Sequence, residues 1–454
     1  SLRKLNSIIS EVDKIATSRL YDFIDATIEE KIIDDNKINF TITIKESEKF
    51  YVNRINILGN FNTVEEVIRH QLIIDEGDAY NEILFNKSIN NIKSLNLFKT
   101  VNSKIINSVD QNLKSIDITV EEQPTGEINL GAGLGTNGST LGGGIKENNF
   151  LGKGIALDTN FQISKDGLKG RFVYAKPNFN YSDNTLSASL IAETLDKLEQ
   201  NGYKNSNLGF SLGTQFQQYE NFFLSPEIAI SSEKLETTHT ASTQLKKQEG
   251  SYQDIYFNYG ANYDLRDRSY QPTSGHTIKF NQSIPVYSEN YELTNTFEAN
   301  KYHALNQTSD IIGKISFYAQ SVNAMSSGDA RISKRLFIPA NKLRGFEPGK
   351  VGPKDNAEFI GGNYVATLNL STGLPDFIPT FENIDLLAFF DAANIWGVDY
   401  SNSVKESNTI RSSTGISINV LTPVGPLNFA LSQPITKASS DKTESFRFNL
   451  GTTF

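Results

Sequence analysis

Residues 155–163 read IALDTNFQI, a stretch in which apolar and polar side chains alternate. One side carries Ile155, Leu157, Thr159, Phe161 and Ile163, and the other carries Asp158, Asn160 and Gln162. Successive side chains of a β-strand point to opposite faces, so this alternation predicts a strand with one apolar and one polar face.

The same alternation continues from Gly126 to the end of the chain, for example in residues 186–192, 255–265, 364–370 and 446–454. We count about sixteen such runs of about 9 to 13 residues, the length that crosses a bilayer at a tilt. The pattern predicts that residues 125–454 form a transmembrane antiparallel β-barrel.

The connections between these runs differ in character. Short ones rich in turn-forming residues lie at 149–154, 272–275 and 422–425, whereas 234–251 and 321–360 are long and polar. Short turns at one end and long loops at the other are typical of outer-membrane barrels. An even number of strands would place both ends of the barrel chain, and the domain before it, on the short-turn side.

Composition agrees with a barrel and excludes other classes. The chain has 29 Phe, 18 Tyr and 32 Gly but one Trp and one Met, and no apolar run approaches the roughly 18 residues of a membrane helix. Cysteine is absent, which excludes disulfides, thiolate zinc sites and cysteine nucleophiles. A net charge of -9 argues against nucleic acid as a partner.

Residues 51–124 have a mixed pattern that predicts a separate α+β domain. A strand at 51–58 is followed by Thr63 and Glu66, which have the spacing of a capping box at a helix start. A second helix at 81–95 and strands at 98–106 and 113–121 complete the order strand, helix, helix, strand, strand.

Residues 1–50 look like the back half of a similar unit, with a helix at 5–20 and strands at 22–30 and 37–44. The alternative is one irregular α/β domain that covers residues 1–122.

We find no catalytic or metal constellation in the sequence. Gly133, Gly135 and Gly138 have dinucleotide-loop spacing, but strand alternation resumes where a phosphate-binding helix would have to begin. The four histidines are scattered without metal-ligand spacing. We therefore expect neither enzymatic activity nor a cofactor.

Four short motifs occur in the later part of the chain. They are Leu343-Arg344-Gly345-Phe346 followed by residues 352–354, residues 264–268 with 272–275, residues 389–397, and residues 423–427. In these motifs and their order, the chain resembles the BamA family of bacterial outer-membrane assembly factors. In that resemblance, residues 51–124 correspond to the POTRA domain that adjoins the barrel, and residues 1–50 to part of the preceding POTRA domain.

The resemblance implies that the long loop at 321–360 folds into the barrel, where its Arg344 meets an acidic residue on the inner wall. Strand parity in 384–390 directs Asp391 inward, as such a partner requires. A second wall acid of the relatives is replaced by Asn369, which we expect to offer only its amide oxygen. Whether the loop stiffens the barrel or takes a direct part in insertion stays open.

The resemblance also implies a seam between the first and last strands that opens sideways. The residues of this predicted seam are Gly126, Gly131, Gly133, Gly135, Phe446, Phe448, Leu450 and Phe454. Glycine weakens strand pairing, and an open seam offers a backbone edge to a client strand. The alternative is that these glycines are ordinary barrel residues.

The function implied by the resemblance is insertion of β-barrel proteins into the bacterial outer membrane, with the POTRA domains in the periplasm. The implied partners are unfolded outer-membrane protein clients, accessory assembly lipoproteins and outer-membrane lipids, the strand at 113–121 being a candidate docking edge. The alternative functions are a two-partner-type secretion pore that exports a soluble protein and, less compatible with a POTRA domain, a solute porin.

Overall fold

The computed structural model describes residues 24–34, 37–46, 50–107, 112–136, 138–269, 271–306, 311–325, 329–355, 358–374, 384–399, 404, 407–422 and 425–450. The helix predicted at 5–20 lies outside this range, as does Phe454. The chain divides into two units, residues 1–127 with 146–157 and residues 128–145 with 158–454. The division into a partial POTRA domain at 1–50 and a POTRA domain at 51–124 stays a prediction.

The first unit contains two sheets. Its elements are β1 (Ile24–Asp34), β2 (Lys37–Glu46), β3 (Tyr51–Leu58), α1 (Glu65–Arg69), α2 (Glu82–Ser94), β4 (Phe98–Asn107) and β5 (Leu113–Glu122). Strands β1 and β2 form an antiparallel pair, and β3, β5 and β4 form the second sheet in that order. The predicted order of strand, two helices and two strands is confirmed.

Helix α2 forms as its sequence predicts. The Asn81 side chain accepts hydrogen bonds from the backbone N–H groups of Ile83 and Leu84, which caps the first turn. Phe85, Ile89 and Ile92 fall on one face and are buried in the core of this domain. The helix therefore packs by the apolar stripe that predicted it.

The capping box predicted at Thr63 and Glu66 is wrong. Val64 is the N-cap of α1 and makes no side-chain cap. The Thr63 N–H donates to the carboxylate of Glu122 at 2.6 Å, and its hydroxyl accepts from the Asn149 amide at 2.9 Å. Tertiary partners have replaced the local cap, which a sequence pattern cannot anticipate.

The docking edge predicted at 113–121 is also wrong, because β5 is the central strand and pairs with β3 on one side and β4 on the other. Ile116, Ile118 and Val120 are buried, whereas Ile105 and Ile106 of β4 are exposed. The more apolar strand of the β4–β5 hairpin occupies the centre, because there it is covered most completely. The outer strands of this sheet are β3 and β4.

The second part of the fold is a closed barrel of sixteen antiparallel strands, which confirms the predicted architecture. The strands up to the long loop are β6 (Gly126–Gly135), β7 (Gly138–Phe150), β8 (Ile155–Ser164), β9 (Gly167–Lys176), β10 (Thr185–Lys197), β11 (Tyr203–Tyr219), β12 (Phe222–Thr237), β13 (Gly250–Asp264), β14 (Gly275–Tyr287), β15 (Glu292–Ala304) and β16 (Ile312–Ala324). The long loop contains β17 (Lys354–Asp355) and β18 (Glu358–Phe359), which pair with each other. The barrel closes with β19 (Tyr364–Gly373), β20 (Ile384–Trp396), β21 (Arg411–Thr422), β22 (Gly425–Thr436) and β23 (Phe446–Leu450).

Four short helical segments lie in connections. They are the 3₁₀ turns Phe179–Tyr181 and Ala340–Lys342 and the helices α3 (Leu198–Asn201) and α4 (Thr243–Lys246). In the described part of the chain, no helix is long and apolar enough to span a membrane.

The outer face of the barrel is apolar, as a surface against lipid must be. Exposed residues with outward parity include Ile128, Leu130, Phe161, Ile163, Leu190, Leu208, Phe210, Ile228, Ile230, Phe257, Leu368 and Leu431. The alternation read from 155–163 thus separates the lipid-facing side from the lumen.

Strand lengths and connections are less regular than the sequence predicted. Strand β11 has 17 residues and β12 has 16, longer than the predicted runs. The connections at 136–137 and 165–166 have two residues each, yet they lie at the same end as the long loop. The difference between the two ends therefore comes from a few long loops and is not a property of every connection.

The long loop, residues 325–363, folds back into the barrel. Its Leu343 and Phe346 are buried with Val322, Val365 and Ile395, which come from three different barrel strands. The loop therefore has an apolar core of its own against the inner wall, and this core positions the motif described next.

Candidate functional site

The loop motif meets the wall through Arg344 and Asp391. The Arg344 Nε donates to Asp391 Oδ2 at 2.8 Å, and its Nη2 donates to Oδ1 at 2.8 Å. The Arg344 backbone N–H donates to the same carboxylate at 3.1 Å. Asp391 lies on β20 and is 0% exposed, so the strand parity read from the sequence gave its direction correctly.

Asn369 stands directly opposite Asp391 on the neighbouring strand β19. Its amide nitrogen donates to Asp391 Oδ1 at 2.8 Å and to the Lys342 carbonyl at 2.7 Å. We had expected the Asn369 side chain to act only as an acceptor, through its amide oxygen, and this expectation is wrong. Asn369 is a donor that holds both the carboxylate and the loop, a role that a second carboxylate could not fill.

Phe389 completes the setting of the ion pair. The Arg344 guanidinium carbon lies 3.5 Å from the centre of the Phe389 ring, and Phe389 is itself buried. A guanidinium on an aromatic face gains a cation–π attraction that does not compete with its in-plane hydrogen bonds. Arg344 is therefore bound in its plane by Asp391 and on its face by Phe389.

Gly345 gives the motif its turn. Its φ is +89°, a conformation that side chains with a Cβ rarely adopt. A Cβ there would lie 3.2 Å from the Cβ atoms of both Ser413 and Ser432 on the inner wall. The Ser413 hydroxyl also donates to the Arg344 carbonyl. Glycine is needed at this position both for backbone conformation and for close approach to the wall.

A second ionic anchor holds the start of the loop, and the sequence analysis did not find it. Arg331 is 0% exposed and pairs with Glu233 at 3.1 Å, Asp254 at 2.7 Å and Glu292 at 2.8 Å. These carboxylates belong to β12, β13 and β15. Because a buried charge must be paired, Arg331 fixes the loop to three strands of the wall.

Two further ion pairs lie in or near the loop. Arg335 contacts Asp399, and Arg411 binds Asp441 through Nε at 2.9 Å and Nη2 at 3.2 Å. Burial raises the pKa of Asp399, but Arg335 and hydrogen bonds from its neighbours outweigh this effect and hold the pKa below its ordinary value. Asp399 therefore stays ionised as a partner of the loop.

The predicted seam residues that the structure describes lie on β6 and β23, the strands between which the barrel closes. In the described residues, β23 is in register with β6 only at Asn449↔Gly135 and Leu450↔Leu134. Leu450 is the last residue of β23 that the structure describes, and the pairing with β6 continues up to it.

The strand β6 at this seam has one glycine-rich face. Gly131, Gly133 and Gly135 alternate with outward residues, and a Cβ on Gly135 would lie 2.8 Å from the Phe448 carbonyl. Gly126, at the start of the strand, is exposed. Glycine at Gly135 therefore permits the close approach of the two seam strands.

The last strand presents aromatic side chains on its outer face. Phe446 is exposed and stacks on Phe448 and on Phe429, with ring centres 6.2 Å apart in each case. Between the two aromatic residues of β23, Arg447 points inward and is 7% exposed. The last strand thus presents aromatic rings on its outer face and a buried arginine on its inner face.

The family of the chain follows from comparison with protein-family models. The Omp85 superfamily domain matches residues 149–454, more than half of the chain, and the POTRA model, described as a surface antigen variable number repeat, matches residues 50–123. The chain belongs to the Omp85 superfamily. The barrel is that of an outer-membrane protein.

Curated relatives in this superfamily carry the name outer membrane protein assembly factor BamA. The protein from Neorickettsia risticii is 22% identical over 92% of this chain and 57% of its own length. The protein from Neisseria meningitidis is 22% identical over the whole of this chain and 63% of its own length. The chain thus spans less than two thirds of the length of these relatives.

Solved structures agree in fold. BamA from Haemophilus ducreyi lacking POTRA domains 1–3 superposes with a TM-score of 0.78 at 22% identity, covering 100% of this chain and 94% of that one. CdiB from Acinetobacter baumannii gives a TM-score of 0.58 at 12% identity, covering 96% of this chain and 80% of that one. At these identities the likeness concerns the fold alone.

The glycines that have dinucleotide-loop spacing lie in barrel strands, Gly133 and Gly135 in β6 and Gly138 in β7. Among the described residues, no group of three or more His, Asp or Glu side chains is arranged to hold a metal ion.

Proposed function

We propose that this chain is the barrel and adjoining POTRA region of an outer-membrane assembly factor, which inserts β-barrel proteins through the seam between β6 and β23. The observation that carries the proposal is the meeting of a glycine-rich first strand with the last strand where the barrel closes, beside a loop held in the lumen. The name that the curated relatives share, outer membrane protein assembly factor, supports the same activity.

The proposed mechanism is strand exchange without a chemical reaction. When β23 moves away from β6, each strand presents a row of unpaired N–H and C=O groups, to which a client strand can add. Backbone pairing is independent of side-chain identity, so one seam can serve many clients. We accordingly propose a non-enzymatic insertase that uses the free energy of client folding.

The partners follow from this mechanism. Unfolded outer-membrane proteins would be the clients, and lipids would meet the exposed aromatic face of Phe446 at the seam. The POTRA region would lie in the periplasm, where its outer strands β3 and β4 offer edges to clients or accessory lipoproteins.

A disulfide across the seam tests the proposal. The register selects Leu134→Cys with Leu450→Cys, which are directly opposite. Oxidised protein in bilayers should fail to insert a client barrel, and reduction should restore insertion. The single cysteine variants control for oxidation itself, and undiminished insertion by the cross-linked protein would contradict lateral opening.

The second candidate, a secretion pore, is favoured by membership of the same superfamily. Conductance separates the two functions, because a pore that exports a protein should open widely and stably. A barrel whose lumen is occupied by a loop fixed through Arg331 and Arg344 should pass small, intermittent currents. Large stable channels in the parent protein would favour the pore.

A further inference from the structure

The last strand of the barrel is tied to the long loop by one side chain. Arg447 of β23 donates through Nη1 to the Ala340 carbonyl at 2.7 Å and through Nη2 to the Phe346 carbonyl at 2.7 Å. Both acceptors are backbone atoms of the loop, one on each side of Arg344. A buried guanidinium with two short bonds makes a strong and directional link.

The backbone next to Arg447 strengthens this link. The Glu444 N–H donates to the Gly345 carbonyl at 3.1 Å, and the Glu347 N–H donates to the Lys442 carbonyl at 3.1 Å. Lys442 in turn donates its N–H to the Lys350 carbonyl at 3.0 Å. The connection that leads into β23 thus runs alongside the loop motif.

The other side of the motif is fixed to a different kind of strand. Arg344 binds Asp391 on β20, which is in register with its neighbour β21 over Ile384–Ala393. The motif is therefore bonded on one side to β20, which is paired with β21, and on the other side to β23, the strand that forms the seam with β6. Displacement of β23 must either break the bonds of Arg447 or move the motif.

We propose that Arg447 couples the seam to the loop, so that β23 leaves β6 only when the motif shifts on Asp391. Arg447 is then a positioning residue that acts through β23. The meaning of this coupling for client insertion rests on the proposed function, but the coupling itself does not.

The experiment measures seam closure directly and without a client. Full-length protein carrying Leu134→Cys and Leu450→Cys is placed in bilayers, and the rate of disulfide formation under a mild oxidant reports how often the two strands are in register. The rate is compared for Arg447→Gln, Arg344→Ala and the double variant, after circular dichroism has established that each is folded.

The coupling predicts a non-additive result. Arg447→Gln should slow cross-linking by up to about tenfold, the factor by which loss of a charge-assisted hydrogen bond shifts the opening equilibrium. Arg344→Ala should slow cross-linking when Arg447 is present, because a loop released from Asp391 can move and displace β23 through the bonds of Arg447. In the Arg447→Gln background, Arg344→Ala should have no further effect.

Two outcomes would overturn the proposal. One is an equal effect of Arg344→Ala in both backgrounds, and the other is no effect of Arg344→Ala in either. If Arg447→Gln does not fold, Arg447→Lys keeps the charge without the planar fork and should give a smaller slowing.

Matched controls separate coupling from loss of charge. Glu444→Gln removes the ion pair that Arg447 makes within its own segment but leaves both carbonyl acceptors in place, so cross-linking should keep the parent rate. Arg266→Gln removes an ion pair with Asp264 on the short-turn side and should also have no effect. Because no client is present, failure of this test and failure of the insertion test are distinguishable.

Discussion

At the scale of single residues, the site depends on one carboxylate. Asp391 receives two bonds from the Arg344 side chain, one from its backbone and one from Asn369. Each of these donors loses its partner when the carboxylate is removed.

Removal of either member of the pair should therefore have similar consequences. We expect Arg344→Ala and Asp391→Ala each to lower the free energy of unfolding by on the order of 3 kcal/mol, because each leaves a buried charge unpaired. The double variant should resemble the single ones, since both remove one interaction. Denaturant unfolding in vesicles measures this, and additive losses would mean that the two residues act separately.

A carboxylate also organises the POTRA region. Glu122 accepts from the Asn62 and Thr63 N–H groups at 3.0 Å and 2.6 Å. Burial raises the pKa of Glu122, but these hydrogen bonds outweigh burial and lower the pKa below its ordinary value. The stabilisation is present above the unfolded-state pKa and is lost as pH falls through the lower folded-state pKa.

Glu122→Gln should expose this pH dependence. At about pH 7 the Asn62 and Thr63 amides should exchange hydrogen faster in the variant than in the parent, and the ratio of the two rates should fall towards one as the pH drops below the lowered pKa of Glu122. Because the variant and the parent are compared at the same pH, the intrinsic effect of pH on amide exchange cancels in the ratio of their rates. A ratio that stays constant down to low pH would show that the ionised carboxylate does not hold this turn.

At the scale of elements, the long loop is shaped by glycines in different surroundings. Gly345 has φ +89° and faces the wall, whereas Gly349 has φ +69° with nothing within 4 Å of a Cβ. The first position therefore adds a steric demand to the conformational one, and the second has the conformational demand alone.

Alanine substitutions separate these two demands. Gly349→Ala should lower loop stability by about 1 kcal/mol, the conformational cost of a positive φ. Gly345→Ala should cost clearly more, because Ser413 and Ser432 must also move. Protease resistance of the loop in folded protein measures both. Equal sensitivity of the two variants would mean that contact with the wall is unimportant.

At the scale of the whole molecule, the loop connects distant parts of the barrel. Arg331 holds its start to β12, β13 and β15, and Arg344 holds its middle to β20. A chain segment fixed at both places restrains strands that are not neighbours, so it stiffens the barrel.

Arg331→Met tests the stiffening. The substitution leaves the Glu233, Asp254 and Glu292 carboxylates close together without their cation, and we expect a loss of about 3–5 kcal/mol. The thermal unfolding midpoint should therefore drop. Glu233→Gln leaves Arg331 with two carboxylate partners and should lower the unfolding midpoint less. An equal decrease would mean that the stabilisation is not shared among the three carboxylates.

The sequence by itself determined the architecture. Alternation in runs such as 155–163 specified which side chains face lipid, and the spacing of Phe85, Ile89 and Ile92 specified α2. These are local periodicities, and burial of one face suffices to select the element. The direction of Asp391 followed from the same parity.

Only the tertiary structure decided which charges meet and which strands are neighbours. Arg331 binds carboxylates 39, 77 and 98 positions away, and no local pattern records such separations. The central place of β5, the partners of Thr63 and the bond from Arg447 to the loop likewise depend on distant segments. Long-range pairing depends on three-dimensional packing, because a buried ion selects its partner by geometry and desolvation and not by position in the chain.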